Sequence, residues 1–432
     1  MSPLNAENSI PFPPVTFGDY NLTAHYQPLV SVAQEMVIGH EGLIRGFHAP
    51  TGKPVPPIEL FAQAARIQQT QELDRACRKT VTAMFQDTLR KNPELILSVN
   101  FDASIPDLDV SGAVHLLENI KSLGLPPSSI MVEVLESAVQ NMNGLRRFID
   151  TLRQSGILIA IDDIGAGHSN LNRLSFLKPD VMKIDRFLIT NLDNDFYKQE
   201  VFRSLVTLAR KVGSLILAEG LETREECLAA IDLGADLLQG YYLSKPVSPE
   251  QIGALNIKQT ISDLAAQHKK DILNKHNIRR ANLKRYELMT REIQSKLELS
   301  ENPEFNALLN GLIRFFPLVE CLYVVDRFGL QATDMVYNTC NPAQRNPRLF
   351  HPKSKGASHS SRDYFYMLIE GGLTKNTYVT DPYLSLTSGR QCVTFSRLFK
   401  DLDGNKNILC ADLSAELLES LRFDDNSLKS GA

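Results

Sequence analysis

The chain has 432 residues, 43% of them hydrophobic, and a formal net charge of −4. That length exceeds one ordinary core and fits two domains, or one large barrel with a smaller module. The nearly balanced charge gives no basis for a nucleic-acid or membrane partner, and no apolar run is long enough to span a bilayer.

Residues 1–17 are proline-rich and polar and read as a flexible lead-in. They hold no basic segment followed by an apolar one, so a cytoplasmic location is expected. From 18 to 252, short apolar runs alternate with longer amphipathic stretches. The predicted strands fall at 95–100, 129–134, 157–162, 181–185, 215–219 and 235–240, with helices such as 143–154 and 196–212 between them. Repeated strand-then-helix order predicts an α/β architecture with parallel strands, and a TIM-like (β/α)8 barrel is the commonest single-domain solution.

Residues 253–302 form a helical linker. From 254 onward they contain neither glycine nor proline, and apolar residues such as Ile261, Leu264, Ile272, Leu283, Ile293 and Leu297 recur at helical spacing. One long helix or two, with its lysines and arginines on a solvated face and a dimer seam along it, is the expectation. Residues 303–432 change texture to a smaller α+β domain on an antiparallel sheet. Its predicted strands lie at 321–326 and around Tyr378, Val393 and Ile408, its helix at 362–370, and its turns at D-R-F-G and D-L-D-G. The six cysteines, Cys77, Cys227, Cys321, Cys340, Cys392 and Cys410, are too scattered for a zinc site or a disulfide framework and fit reduced thiols.

Polar residues recur at the ends of the predicted barrel strands: Asn100, Glu133 and Glu136, Asp162 and Asp163, Lys183 and Asp185, Glu219, and Gln239, with Glu41 on an earlier segment. In a barrel of parallel strands these ends gather on one face, where such folds carry their chemistry. Carboxylates crowded there repel one another unless cations compensate, and oxygen donors without cysteine or clustered histidine favour Mg²⁺ or Mn²⁺. Two such ions would activate a water and stabilise charge on a phosphoryl group. Each residue alone has a plainer reading. A D-D pair before glycine is turn or cap chemistry, Lys183 a snorkelling lysine, Glu219 and Glu222 partners of a helix N-terminus, and Asn100 a turn former. Their joint occurrence at successive strand ends is what the plain readings leave unexplained.

The motifs H-Y-Q-P-L-V (from His25), E-G-L-I-R (from Glu41), S-V-N (from Ser98), E-V-L-E (from Glu133), D-D-I-G-A-G (from Asp162), K-I-D-R (from Lys183), A-E-G-L-E-T (from Ala218) and Q-G-Y (from Gln239) resemble, in order and spacing, the EAL-domain cyclic di-GMP phosphodiesterases. The resemblance covers about 20–250. It implies hydrolysis of cyclic di-GMP to linear pGpG with Mg²⁺ or Mn²⁺. Glu41, Asn100, Glu133 and Asp162 would hold one metal, and Asp162 and Asp163 a second. Lys183 would orient the attacking water, and Glu219 would assist as ligand or base. Glu136 would brace the loop after the aspartates, Gln239 would line the metal site, and Gln27 and Arg45 would face the nucleotide, with Asp185 and Glu222 behind them. The chain departs from the family at Gly42 in place of alanine, at Leu135 in place of threonine, and at Ile164, Ala166, His168 and Asn170 in the loop. These changes favour an alternative, a receptor that binds cyclic di-GMP without hydrolysing it; a phosphodiesterase for another nucleotide is a third reading.

The second domain resembles the Cache branch of PAS-like sensor folds through R-D-Y-F, Y-V-T-D-P-Y, V-T-F-S-R and A-D-L-S. That resemblance implies a pocket for a small amino or carboxyl compound, with Arg362, Tyr364, Tyr378, Asp381 and Asp412 as candidates. A structural dimerisation module is the alternative, and a homodimer is expected in either case.

Overall fold

The computed structural model describes residues 15–101, 110–135, 142–166, 172–338, 354–369, 376–385 and 389–414. The chain divides into two units, residues 1–272 and 273–432.

The first unit opens with strands β1 (Val15–Phe17), β2 (Tyr20–Ser31), β3 (Met36–His48) and β4 (Pro54–Val55), then helices α1 (Pro57–Arg66) and α2 (Thr70–Lys91). Alternation follows through β5 (Ile96–Phe101), α3 (Val110–Ser122), β6 (Ile130–Leu135), α4 (Met142–Gln154), β7 (Leu158–Ile164) and α5 (Asn172–Leu177). It continues with β8 (Val181–Ile184), α6 (Arg186–Ile189), α7 (Phe196–Val212), β9 (Leu215–Ala218), α8 (Arg224–Leu233) and β10 (Leu237–Leu238). Strand order is β1-β2-β10-β9-β8-β7-β6-β5-β3-β4 with an added β2–β3 pairing, so β2, β3 and β5 to β10 close a barrel of eight strands.

The expectation of a wholly parallel barrel fails at one strand. β2 runs antiparallel to both β3 and β10, whereas the other barrel pairs are parallel. Only residues 32–35 separate β2 from β3, a hairpin-length link, and a parallel pair needs a crossover of a dozen residues or more.

Side chains alternate across each strand, and the barrel interior is layered accordingly. Leu29, Met131, Ala160, Val181, Leu217 and Leu237 form one buried apolar cluster inside. The intervening Leu97, Val99, Val132, Ile159, Ile161, Met182 and Ile216 pack in the larger cluster with the surrounding helices. Two residues beyond the inner apolar layer, each strand presents a polar side chain on the same face: Glu133 after Met131, Asp162 after Ala160, Lys183 after Val181, Glu219 after Leu217 and Gln239 after Leu237. A one-residue slip would turn this whole set outward, so the apolar layer below fixes the register of the polar layer above. Gly240, directly after Gln239, lies so close to α8's approach that a Cβ there would meet the Leu221 carbonyl oxygen at 2.1 Å.

Helix α9 (Lys258–Leu297) is one helix of 40 residues rather than two. Its Ile261 and Leu264 belong to the barrel's core, and its Tyr286, Ile293 and Leu297 to that of the second unit. There follow α10 (Phe305–Leu312), β11 (Val319–Asp326), β12 (Val336–Tyr337), α11 (Asp363–Ile369), β13 (Thr377–Val379), β14 (Tyr383–Leu384), β15 (Gln391–Lys400) and β16 (Lys406–Ser414). Their antiparallel sheet has the order β12-β11-β16-β15-β13, with β14 also on β15. One face buries Leu322, Val324, Phe395, Leu409 and Ala411 with Tyr286 and Ile293, and the other carries Cys321, Tyr323 and Cys410 beneath Tyr364 and Phe365. The D-L-D-G turn joins β15 to β16: Gly404 takes a φ of +80°, and the Asn405 N–H donates to Asp401 Oδ1 at 2.7 Å.

Among the described residues no helix is long and apolar enough to cross a membrane. Cys77, Cys227, Cys321, Cys392 and Cys410 are free and buried; Cys340 lies outside the described residues.

Candidate active site

At the mouth of the barrel the chain brings together a lysine and four carboxylates. The Lys183 Nζ lies 2.7 Å from Glu133 Oε2, 2.8 Å from Glu219 Oε1, 3.1 Å from Asp162 Oδ1 and 4.0 Å from Glu41 Oε2. Lys183 is 1% exposed and Glu133 fully buried, whereas the Glu219 side chain keeps 18% of its surface at the rim. An ammonium has three N–H groups, too few to serve four carboxylates with directed bonds. Its two shortest contacts, to Glu133 Oε2 and Glu219 Oε1, are at the distance of charge-assisted hydrogen bonds.

Neutral side chains hold the other oxygen of Glu133 and both oxygens of Glu41. The Ser98 hydroxyl donates to Glu133 Oε1 at 2.5 Å. The Asn100 amide donates to Glu41 Oε1 at 3.0 Å, and the Gln239 amide donates to Glu41 Oε2 at 2.6 Å and to Gln27 Oε1 at 3.2 Å. Gln27 in turn donates to the Ser244 carbonyl at 3.0 Å. The antiparallel pairing sets Gln27 directly opposite Glu41, which is how a strand outside the parallel series contributes to the cluster.

The adjacent aspartates are separated by a β-bulge. Register moves from Ile161↔Met182 to Ile164↔Ile184, so β7 advances three residues while β8 advances two. Asp163 takes a left-handed φ of +59°, which aspartate tolerates better than most residues, and its N–H donates to Asp162 Oδ1 at 2.9 Å. The bend leaves Asp162 buried against Lys183 and Asp163 half-buried beside it.

Electrostatics follow from this crowding. Burial and the neighbouring Glu41 push Glu133 up to about 8 despite the opposing Lys183 charge. Burial raises Glu219 well above the usual carboxylate range, with Asp162, Glu41 and Glu133 adding to it against Lys183. Burial and Asp162 raise Asp163 as well. Burial alone would lower Lys183, but Asp162, Glu133, Glu219 and Glu41 hold it well above its ordinary value, so it stays charged.

The sign of the resulting pH dependence is set. Glu133 binds its proton more tightly folded than unfolded, so its contribution to stability is fully present below 4.5 and is lost as pH rises through about 8. In EDTA the unfolding free energy of Glu133→Gln is therefore expected to fall less between pH 4.5 and 8 than that of the native chain. Urea denaturation at several pH values measures it; parallel curves for the two proteins would contradict the assignment.

Every candidate metal donor here is an oxygen, from Glu41, Asn100, Glu133, Asp162 and Asp163, a set suited to a hard divalent cation. In this arrangement Glu41, Glu133 and Asp162 surround the Lys183 ammonium, and among the described residues no three acidic, histidine or cysteine side chains are spaced to hold a metal ion. The oxygens of Glu133, Asp162 and Glu219, gathered within 3.1 Å of one ammonium, nonetheless form a set that a cation suits.

Other predicted residues stand further out. Arg45 is half-buried, donates to the Ile44 carbonyl at 2.8 Å, and has its guanidinium lowered by burial. Asp185 caps α6 by accepting the Phe187 N–H at 2.8 Å, and Glu222 pairs with Arg186 at 2.9 Å on the surface, so neither touches the lysine cluster directly. Glu136, His168, Asn170 and the side chain of Leu135 lie outside the described residues.

Three residues escaped the sequence reading. Ser98 sits two positions before Asn100 on the same strand face, which by itself reads as an ordinary strand position. Asp74 and Arg78 on α2 line a cavity of about 210 Å³ with Arg45, Gly42 and Asn100. Nothing in an i,i+4 ion pair distinguishes it from an ordinary surface pair.

In the second unit the five predicted pocket residues differ in exposure, and Tyr364 lies within electrostatic reach of Arg362 and Asp412. Arg362 and Asp381 are exposed and Tyr378 is half-buried. Asp412 is buried and accepts from Thr394 Oγ1 at 2.7 Å and from the Cys321 thiol at 3.1 Å. Tyr364, buried on the same face, hydrogen-bonds to His359. Tyr383, which the motif contained but the candidate set did not, pairs with Thr394 at 2.8 Å.

Comparison with known proteins names this arrangement. The EAL domain family matches residues 16–246. The cyclic di-GMP phosphodiesterase RocR of Pseudomonas aeruginosa is 31% identical over 234 residues, covering 53% of this chain and 58% of RocR. The EAL-domain containing protein YkuI of Bacillus subtilis is 24% identical over 381 residues, covering 86% of this chain and 90% of YkuI. The crystal structure of Bacillus subtilis YkuI in complex with c-di-GMP and calcium matches with a TM-score of 0.75 at 23% identity, covering 91% of this chain and 96% of that one, a likeness of fold. Several curated relatives are longer: the match spans 29% of the Bacillus subtilis signaling protein YkoW and, for RocR too, less than two thirds of the relative's length. With the EAL domain matched over more than half of its length, the chain belongs to the EAL-domain family.

Proposed function

We propose that this chain is a metal-dependent phosphodiesterase that hydrolyses cyclic di-GMP to linear pGpG, regulated by its C-terminal domain. The observation that carries the reading is the buried Lys183 among Glu133, Asp162 and Glu219 at 2.7 to 3.1 Å, on a barrel of this family. Glu41, Asn100, Glu133 and Asp162 would hold one Mg²⁺ or Mn²⁺, and Asp162 with Asp163 a second. When bound, such ions supply Lewis acidity toward the phosphoryl oxygens. Lys183 orients the attacking water, and Glu219, raised by burial and open at the rim, receives its proton. Water adds to one phosphorus as the bond to the 3′ oxygen breaks, leaving a linear dinucleotide with a 5′ phosphate. Gln27, Arg45 and Gln239 would face the nucleotide, Arg45 pairing with phosphate, and by family resemblance Glu136 would brace the loop after the aspartates, with Asp185 and Glu222 supporting from behind.

Residues 18–252 form the phosphodiesterase barrel, 253–302 the helical linker and 303–432 a Cache/PAS-like sensor in a cytoplasmic homodimer, with residues 1–17 as a lead-in. The buried Asp412, bonded among the described residues to the neutral Thr394 and Cys321 side chains, supports a small-molecule site on its sheet face. One observation favours the receptor alternative: the chain carries Ile164 and Ala166 in the loop that follows the aspartates, away from the family's usual residues.

Incubating the full chain with labelled cyclic di-GMP and Mn²⁺ is expected to give linear pGpG. Tight binding without product would select the receptor, and product with equal preference for other cyclic nucleotides would overturn the substrate assignment.

A further inference from the structure

Beneath the acidic cluster lies a hydroxyl that the proposed chemistry does not use. On β5, Ser98 is in register with Met131 of β6, two residues below the level at which Asn100 faces Glu133. Met131 belongs to the apolar cluster inside the barrel, with Leu29 and Ala160. Ser98 is therefore a polar side chain at an apolar level, and it is 0% exposed, as Glu133 is. A hydroxyl so deeply buried costs free energy unless it is bonded, and an aliphatic side chain would continue the layer without that cost.

The Ser98 hydroxyl donates to Glu133 Oε1 at 2.5 Å, while the Lys183 Nζ stands 2.7 Å from Glu133 Oε2. Serine and lysine thus hold opposite oxygens of one carboxylate. A glutamate's terminal torsion is broad, so an untethered carboxylate swings through a wide arc. With Oε1 fixed from below, Oε2 is the oxygen on the side of Lys183, whose Nζ also lies 3.1 Å from Asp162 Oδ1 and 4.0 Å from Glu41 Oε2. Any cation shared by these acids meets Glu133 through Oε2.

We propose that Ser98 is a positioning residue for Glu133: by holding Oε1 it commits Oε2 to the divalent cation and sets how tightly that cation binds. This rests on the metal-dependent reading above.

The test is calorimetric titration of the full chain with Mn²⁺, for the native protein and for Ser98→Ala, Ser98→Thr and Ser98→Val. Threonine and valine share one β-branched shape and crowd the site alike, but only threonine keeps the hydroxyl. Losing a partner that orients a metal-holding side chain typically weakens metal binding by about 10- to 100-fold. That loss is expected in Ser98→Ala and Ser98→Val, with Ser98→Thr close to native. Urea midpoints in EDTA establish that each variant is folded, and the threonine–valine comparison decides alone if alanine leaves the chain unfolded. A hydroxyl that serves stability alone would lower the midpoint of Ser98→Ala and leave its Mn²⁺ affinity native, which overturns the inference. Equal losses in Ser98→Thr and Ser98→Val would trace the effect to crowding and overturn it too. In both cases native Mn²⁺ binding leaves the metal-dependent reading standing. A native chain that takes up no Mn²⁺, with or without cyclic di-GMP, would instead overturn that reading, and this inference with it.

Discussion

Lys183→Met is expected to lower the hydrolysis rate by roughly 10⁴-fold, the upper end of what a positioned proton-handling group contributes. Among the described residues Lys183 is the cation contacting Glu133, Asp162 and Glu219, and methionine fills its volume without its charge. Removing one partner from a buried ion pair costs about 3–5 kcal/mol because the other charge stays behind, and here three carboxylates stay behind. The variant should therefore also unfold at lower urea. Its deficit should shrink as pH falls, because the stranded carboxylates, raised further without the ammonium, take up protons more readily in the folded than in the unfolded chain. Added Mn²⁺ should restore more stability to the variant than to the native chain. A variant with native turnover, or with a deficit that grows on acidification, would show that the ammonium does not neutralise this cluster.

Asp162→Asn is expected to abolish turnover by about 10³-fold, the scale of losing one preorganised electrostatic group at a reacting phosphoryl. The substitution is conservative for the fold. Asparagine's Oδ1 still accepts the Asp163 N–H now bonded at 2.9 Å, so the left-handed bend at Asp163 is retained. What disappears is one negative charge 3.1 Å from Lys183 and the proposed bridge between two cations. Product release measured by chromatography, with urea midpoints as the control, separates the two roles. Near-native turnover in a chain of native stability would remove Asp162 from the chemistry.

Much of the site was legible because a strand's two-residue period is strict. Once the apolar runs were placed, Glu133, Asp162, Lys183 and Glu219 had to share a side, and the parallel pairing of their strands brought them to one rim. Asn100 followed by the same logic. Gln27 did not, since its strand runs the other way and a pattern of apolar residues carries no direction. Side-chain hydrogen bonding is also silent in a sequence: Ser98 reads as an ordinary strand residue until Glu133 is seen beside it on the adjacent strand. In the second unit, neighbours in a motif differ in burial once the strand is placed: Asp381 is exposed while Tyr383 is half-buried.

The reversed strand also shapes how this molecule is made. Its inner edge stays open until Val30 meets Leu238 and Tyr26 meets Val247, partners more than two hundred positions downstream. A ribosome therefore releases the opening hairpin long before the segments that seal it, and the nascent polypeptide carries an unpaired edge open to misassembly throughout that interval. Any product shortened ahead of Leu237 keeps that seam open and lacks Gln239, the amide that ties Gln27 to Glu41.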